Sequence, residues 1–253
     1  MQKEELPHLK MTKIGIIAGD GNLPLYIGNS LLSKNYDVTF LSLNNKNNKL
    51  YKNHNSVDID ILSIKKIFKV LDSNKIKNII FAGSIKRPGI KDLGFDLPTI
   101  LLAKNLLLEK KGDNNLLMSL KKYFETKGYI FFNWTKYCQE LFSNEINLSK
   151  IKPSKNAILN LKKAKSTYQI FKKLDVGQAM IVQNQLVLGL EAIEGTDALL
   201  KRCKEYKRKE DNGVLFKFSK QNQSNLIDIP LIGLTTIKNL KKYNYEGVYL
   251  QKN

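Results

Sequence analysis

Acidic and amide side chains gather at the two ends of one predicted β-hairpin, in the stretch DVGQAMIVQNQLVLGLEAIEGTDALL (175–200). Asp175 and Gln178 precede the first strand, and Glu191, Glu194 and Asp197 follow the second at intervals of three. Carboxylates that converge on one edge repel one another unless a cation or a basic substrate lies between them, and hard divalent metals prefer oxygen ligands of this kind. The ends of the hairpin therefore predict a metal-dependent site.

Some of these acids also have a structural explanation, which the sequence leaves open. Thr196 or Asp197 can cap the helix that follows the hairpin while Gly195 makes the turn. Asp113 in KGDNNLL, in the first half of the chain, can likewise be the N-cap of a helix predicted to begin there. His8 and His54 are the only histidines, and both lie among polar residues. A zinc site or a histidine-based triad therefore has little support.

Two further motifs could hold phosphate groups. GDGNLP (19–24) stands between a predicted strand and a helix, where glycines allow close approach and the helix N-terminus attracts anions. It is not a complete GxGxxG fingerprint, because Pro24 occupies the place of the third glycine, and a tight turn without a ligand explains it equally well. Lys86 and Arg87 follow another predicted strand, where they could meet phosphates or form a solvated basic loop.

The elements that position these motifs alternate between strand and helix in the first half. We predict strands at 13–19, 36–43, 76–85 and 129–134, and helices at 25–35, 63–75, 96–111 and 113–128. Short apolar strands that alternate with helices are typical of a doubly wound parallel sheet. The first half, 1–150, is therefore predicted to be a Rossmann-like domain that binds nucleotide or phosphate.

The pattern loosens at about 135–154, where we place a linker. Beyond it we predict a long amphipathic helix at 157–175, the hairpin, a helix at 197–209, a strand at 213–220, a helix at 235–244 and a last strand at 247–251. This order is mixed α/β. We predict a second, catalytic domain at 151–253.

Composition limits the class of protein without identifying an activity. The hydrophobic fraction of 42% is typical of a folded soluble protein, and the sequence has no apolar run long enough to span a bilayer and no signal-peptide pattern. Cys138 and Cys203 stand far apart with no CxxC partner, so we expect two buried or idle thiols. We expect a cytoplasmic protein.

The formal net charge of +19 has two explanations. It fits an anionic partner such as nucleic acid or a membrane surface, and it also fits a compositional bias toward Lys, Asn and Ile. No basic and aromatic residues interleave as in a nucleic-acid-binding module. A nucleic-acid-binding protein and a Rossmann-like oxidoreductase therefore stand as alternatives, the latter weakened because Ser42 and Asn44 end the second strand in place of an acidic residue.

The chain resembles the LpxI-type UDP-2,3-diacylglucosamine pyrophosphatases of lipid A biosynthesis. The motifs that carry the resemblance follow family order along nearly the whole chain: GDGNLP (19–24), AGSIKRP (82–88), KGDNNLL (111–117), LDVGQAMIV (174–182), EAIEGTDALL (191–200), GVLFK (213–217) and DIPLIG (228–233). The run from DVGQA to EGTDA is highly specific, whereas the glycine turn alone would not be.

The resemblance implies a Rossmann-like domain, a distinct C-terminal α/β domain and an active site between them. It implies Mg²⁺-dependent hydrolysis, with Mn²⁺ as another divalent candidate, that releases UMP and 2,3-diacylglucosamine 1-phosphate from UDP-2,3-diacylglucosamine. We expect catalysis by Asp197, Asp228, Lys217 and Glu194; substrate binding by Gly19, Gly21, Leu23, Pro24, Arg87, Gln178 and Thr196; and metal binding by Asp113, Asp175, Glu191 and Asp197.

The resemblance also implies where the protein works. We expect peripheral attachment at the cytoplasmic face of the inner membrane, where an anionic surface and the lipid substrate are partners and nucleic acid is not; a homodimer is compatible with this expectation. Two departures stand out. Ser224 and Leu226 occupy places where the family usually carries Asp and Arg, so Asp228 would have to serve, and the chain ends where family members usually continue.

Overall fold

The computed structural model describes residues 11–43, 49–59, 64–84, 113–142, 148–172, 177–219 and 230–251, with the backbone alone at 113–117. The chain divides into two compact units. The first comprises Met1–Lys111 and Asn115–Ser143, and the second comprises Gly112–Asn114 and Asn144–Asn253. The main boundary between the two units therefore falls between Ser143 and Asn144.

The first unit contains a five-stranded parallel sheet. Its strands are β1 (Lys13–Ala18), β2 (Asp37–Ser42), β3 (Ser56–Asp58), β4 (Asn78–Ala82) and β5 (Ile130–Phe131), in the order β3-β2-β1-β4-β5. Its described helices are α1 (Leu23–Leu32), α2 (Ile64–Ser73) and, from Asn115 onward, α3 (Asp113–Thr126). The order reverses direction at β1, which confirms the predicted doubly wound sheet.

The central strands are apolar because both faces of the sheet are covered. Ile14, Ile16 and Ile17 of β1 are all buried. Gly28 brings α1 close to the sheet, since a Cβ there would lie 2.1 Å from the ring of Phe40 in β2. This packing fixes the start of α1 at the carboxyl end of β1, where doubly wound sheets bind ligands.

The second unit contains a four-stranded mixed sheet. Its strands are β6 (Ala179–Gln183), β7 (Leu186–Leu190), β8 (Val214–Lys217) and β9 (Gly247–Leu250), in the order β7-β6-β8-β9. The β6–β7 and β6–β8 pairs are antiparallel and the β8–β9 pair is parallel. Its described helices are α4 (Lys155–Phe171), α5 (Thr196–Cys203) and α6 (Leu234–Lys242). The predicted mixed α/β class of this half is confirmed.

Helices cover both faces of the second sheet. Met180 and Val182 of β6 pack in a core with α4, whereas Ala179 and Ile181 pack in a core with α5 and α6. Successive side chains of a strand point to opposite faces, so the continuous apolar run of β6 serves both cores. The resulting layers are helix, sheet and helices.

Several local features differ from the sequence prediction. The predicted strand at 129–134 is reduced to Ile130–Phe131 and is followed by a 3₁₀ turn at Trp134–Lys136. β3 was not predicted, and the helix predicted at 197–209 ends at Cys203 before a 3₁₀ turn at Lys204–Tyr206. The helix predicted at 96–111 lies outside the described residues.

Two further findings concern the cysteines and the length of the helices. Cys138 and Cys203 are buried free thiols. Within the described ranges, the structure contains no helix with the length and apolar character needed to span a bilayer.

Candidate functional site

The glycine turn after β1 is hydrogen-bonded to the loop that follows β4. The N–H of Gly19 donates to the carbonyl of Ala82 at 2.8 Å, and the N–H of Asp20 donates to the carbonyl of Ser84 at 2.7 Å. The N–H of Ser84 returns a bond to the carbonyl of Asp20 at 2.9 Å. The two loops that the sequence suggested for phosphate binding therefore start side by side at the carboxyl edge of the sheet.

Gly83 makes this junction possible, and sequence reasoning did not single it out. Its φ is +86°, and a Cβ at this position would lie 2.8 Å from backbone atoms of Gly19 and from the carbonyl oxygen of Asp20. A side chain is therefore excluded both by conformation and by space. The available signal was a glycine directly after a buried strand.

The backbone of the turn at Gly21 is open. Gly21 has a φ of +96°, and nothing lies within 4 Å of where its Cβ would be. Asn22 occupies the N-cap of α1 without a side-chain cap, and Leu23 and Pro24 form the first turn. The first N–H groups of a helix have no intrahelical acceptor, so this turn suits an anionic ligand. Arg87 and Lys86 lie outside the described residues.

A chain of hydrogen bonds joins four predicted site residues in the second unit. The Glu191 carboxylate accepts from the backbone N–H of Gln178 at 2.7 Å and from the Thr196 hydroxyl at 2.6 Å. The Lys217 ammonium group donates to the Thr196 Oγ1 at 3.0 Å. Glu191 itself is buried. The end of β7, the start of α5 and the end of β8 are thereby tied together.

The Lys217 ammonium group lies at the positive end of α5. Gly195 is the N-cap residue, with a φ of +80° and no side-chain cap, and Thr196 is the first helical residue. The alternative in which Thr196 or Asp197 caps this helix is therefore wrong, because the chain turns one residue earlier. An ammonium group beside unpaired helix N–H groups favours a negatively charged ligand.

The other two acids of the 191–197 stretch have different partners. Glu194 forms a 2.8 Å ion pair with Arg202 and also accepts from the N–H of Ala192 at 3.1 Å. The hydrogen bond from Arg202 holds the pKa of Glu194 below its ordinary value. Asp197 accepts a hydrogen bond from the side-chain amide of Asn239 at 3.1 Å. Although Glu191, Glu194 and Asp197 are evenly spaced in the sequence, their side chains contact separate neighbours.

These contacts bear on the predicted metal set. Among the residues that the structure describes, no three acidic, histidine or cysteine side chains form a group that could hold a metal ion. Glu191 is occupied by two protein donors. Asp113 begins α3, but its side chain, like Asp175 and Asp228, lies outside the described part. Oxygen donors of the right kind are thus present, but Glu191 and Asp197 alone do not complete a site.

The two units define an α/β protein with a Rossmann-like parallel sheet, an open glycine turn at its ligand-binding edge, and a second mixed sheet bearing a lysine at a helix N-terminus. These features define the class of a two-domain α/β protein. The family comparison is more specific: the LpxI N-terminal domain model matches residues 13–141, and the LpxI C-terminal domain model matches residues 144–253. The chain belongs to the LpxI family.

A curated relative extends the comparison to a whole protein. The chain is 28% identical over 245 residues to the UDP-2,3-diacylglucosamine pyrophosphatase LpxI of Caulobacter vibrioides. The alignment covers 94% of this chain and 88% of the relative. The resemblance seen in the sequence motifs is therefore confirmed along nearly the full length.

Proposed function

We propose that this protein hydrolyses the pyrophosphate bond of UDP-2,3-diacylglucosamine to UMP and 2,3-diacylglucosamine 1-phosphate, a step of lipid A biosynthesis. The proposal is carried by the match of both halves, in order, to the two LpxI domains. The named activity of the Caulobacter relative, which aligns with 94% of the chain, supports it.

Lys217 is the group we assign to the pyrophosphate, and the Thr196 hydroxyl holds the ammonium group in position. Hydrolysis builds negative charge on the phosphoryl oxygens, and donors that are already oriented stabilise such charge most effectively. The hydrogen bond between Lys217 and Thr196 at 3.0 Å holds both groups at the uncapped N-terminus of α5. Glu191, which accepts the Thr196 hydrogen bond, orients that hydroxyl.

Asp197 is the described carboxylate that we favour as the catalytic acid–base group. It follows Thr196 in the first turn of α5, and its one described side-chain contact comes from the neutral amide of Asn239. Glu194 is committed to Arg202, so we assign it to holding the turn and no longer to proton transfer. Asp228 remains the companion candidate from the sequence.

The first unit would bind the nucleotide. Gly19, Gly21, Leu23 and Pro24 form the open turn at the carboxyl edge of the sheet, with Arg87 expected to add a charged donor. The junction between Gly83 and Gly19 sets the position of this turn.

Magnesium dependence is part of the proposal. A bound Mg²⁺ would neutralise pyrophosphate oxygens, and Mn²⁺ would do the same. Asp175 and Asp197 are the residues we expect to hold it, with Asp113 and Glu191 in the wider predicted set. The donor set consists of oxygen atoms only, which suits a hard cation.

We also propose that the protein works at the cytoplasmic face of the inner membrane without entering it. The two acyl chains of the substrate give it strong membrane affinity, at about 0.8 kcal/mol for each buried methylene. An enzyme acting on such a molecule must meet it at the bilayer surface.

Release of UMP from UDP-2,3-diacylglucosamine tests the activity directly. We expect hydrolysis that EDTA abolishes and Mg²⁺ restores, with a Lys217→Met preparation, purified in parallel, as the control for contaminating hydrolases. Full activity in EDTA would refute the metal requirement. An inactive wild-type protein with every divalent ion tried would refute the enzymatic proposal.

A further inference from the structure

Helix α4 has a buried face and an exposed face of opposite character. Ala157, Ala164, Tyr168 and Phe171 recur at helical spacing and pack against the second sheet. The other side of the helix is exposed along its length. Together with the exposed residues 148–154 that lead into the helix, this side forms what we call the α4 surface.

The α4 surface is basic throughout. From 148 to 170 the sequence contains six lysines and neither Asp nor Glu, and all six are exposed: Lys150, Lys152, Lys155, Lys162, Lys163 and Lys165. None of them forms a salt bridge with a described acidic residue. Their charge is therefore directed to solvent and is not used to hold the fold.

Large aliphatic side chains project among these lysines. Leu148 is 71% exposed, Ile151 is 81% exposed and Ile170 is 80% exposed, and Ile158 and Leu159 are exposed as well. Exposed aliphatic side chains add little to the stability of the folded domain, whereas their removal from water on binding a partner is favourable. Lysine stems lying alongside can extend the apolar area while their ammonium groups stay in a polar layer.

Three described acidic residues, Glu246, Glu210 and Asp211, lie at the margins of this surface. Glu246 accepts hydrogen bonds from the backbone N–H and the hydroxyl of Ser154, both at 2.8 Å, and so is used to start the helix. On the other side, Leu159 lines a recess of about 360 Å³ with Arg208, Glu210 and the buried Asp211. The exposed lysines of α4 itself are left as an unbroken positive field.

We propose that the α4 surface docks the protein on an anionic phospholipid leaflet, with Ile151 and Ile170 entering the headgroup region and the lysines meeting phosphate groups. Basic helices with exposed aliphatic residues bind lipid in this way. Single-stranded nucleic acid would call for exposed aromatic or arginine side chains among the lysines, and from 148 to 170 the only aromatic residue, Tyr168, is buried and no arginine occurs. The inference rests on the proposed membrane function and adds the face that performs the docking.

Vesicle co-sedimentation without substrate tests the surface independently of hydrolysis. The triple variant Lys155→Glu, Lys162→Glu, Lys163→Glu should bind phosphatidylglycerol-containing vesicles at least about a hundredfold more weakly, because each lysine near an anionic leaflet contributes about fivefold. The matched control Lys65→Glu, Lys66→Glu, Lys69→Glu reverses three exposed lysines of α2 in the first unit and should bind as the wild type does. Circular dichroism should show both variants folded.

A second variant tests the aliphatic part. Ile151→Ser with Ile170→Ser removes two side chains that are exposed by four-fifths, so it should leave the melting temperature unchanged. We expect vesicle binding several-fold weaker than wild type at both low and high salt, because salt screens the lysine contribution and not the aliphatic one.

The outcomes separate docking from catalysis. The triple lysine variant should still release UMP from substrate dispersed in detergent micelles, so loss of vesicle binding with retained hydrolysis supports the proposal. Equal wild-type binding to phosphatidylcholine and phosphatidylglycerol vesicles would overturn it. So would a triple variant that keeps vesicle binding but loses binding to an RNA oligomer, which would assign the surface to nucleic acid.

Discussion

The Lys217 ammonium group donates a 3.0 Å hydrogen bond to the hydroxyl oxygen of Thr196, across 21 residues of sequence. The Thr196 hydroxyl in turn donates a 2.6 Å hydrogen bond to the buried carboxylate of Glu191. A cation, a hydroxyl and an anion are thereby fixed in series at the start of α5. This arrangement keeps the lysine in place at a helix end without neutralising it directly by a carboxylate.

Lys217→Met should lower kcat by about two to three orders of magnitude if the lysine stabilises developing phosphoryl charge. Methionine keeps most of the length and apolar volume of the side chain, so the melting temperature should change little. Lys201→Met, at an exposed position of the same α5, is the matched control and should retain activity. An active Lys217→Met enzyme would show that another cation meets the phosphates.

Asp197→Asn should lower turnover by at least about a hundredfold while preserving the fold, because the loss of an acid–base group typically costs 10²–10⁴ in rate. Asn can still accept the hydrogen bond from Asn239 that Asp197 accepts at 3.1 Å. Asn239→Ala is the companion variant: it removes that contact but keeps the carboxylate. If Asn239→Ala lost as much activity as Asp197→Asn, the position of the side chain at 197, and not its negative charge, would explain both losses.

Gly83→Ala should destabilise the first unit more than Gly128→Ala does. Both glycines have a φ near +85°, at +86° and +83°, so both variants carry a similar conformational cost of about 1 kcal/mol. Only at Gly83 would the new Cβ also lie 2.8 Å from backbone atoms of the turn after β1, whereas nothing lies within 4 Å at Gly128. Urea unfolding measures the difference, and equal losses would contradict the close contact.

Gly21→Ala should weaken nucleotide binding beyond its effect on stability. Its φ of +96° and its open surroundings make its conformational cost comparable to that of Gly128→Ala. The added methyl group, however, would stand where we expect UMP to approach the turn. Calorimetric titration with UMP should show weaker binding for Gly21→Ala and unchanged binding for Gly128→Ala; equal affinity would place the nucleotide elsewhere.

Asp211 should contribute stability that disappears in acid. Burial raises the pKa of Asp211, but hydrogen bonds from the N–H groups of Asn184 and Gly213 outweigh burial and hold the pKa below its ordinary value. A depressed folded-state pKa gives stability that is complete above the unfolded pKa of about 3.9 and is lost as pH falls through the lower folded value.

The variant Asp211→Asn tests this pH dependence. At neutral pH it should lose about 1–3 kcal/mol, because the NH2 group of Asn replaces one carboxylate oxygen that accepts from an N–H donor at 2.7–2.8 Å. Below pH ~4 the difference from wild type in urea unfolding should shrink. Glu210→Gln, at the exposed neighbouring position, serves as the control and should keep wild-type stability at neutral pH.

Local pattern was sufficient to predict most elements. The unbroken apolar run of β1 and the 3.6-residue repeat of α4 each depend on neighbours a few residues away, so both were located with their boundaries within a few residues. β3 escaped prediction because its three residues, Ser56–Asp58, carry no apolar run; pairing with β2 makes it a strand. The sequence motifs were also sufficient to predict the family, because they follow one another along the chain in the same order as in the family.

Tertiary structure decided which functional groups meet. The sequence showed Glu191, Glu194 and Asp197 as one evenly spaced set, yet the turn through Gly195 and the start of α5 direct them to Thr196, Arg202 and Asn239. The sequence likewise gave no reason to place Lys217 beside Thr196 or Gly83 against Gly19. Periodicity specifies the face on which a side chain lies. The register of β8 against β6, and of one loop against another, fixes which side chains come within hydrogen-bonding distance.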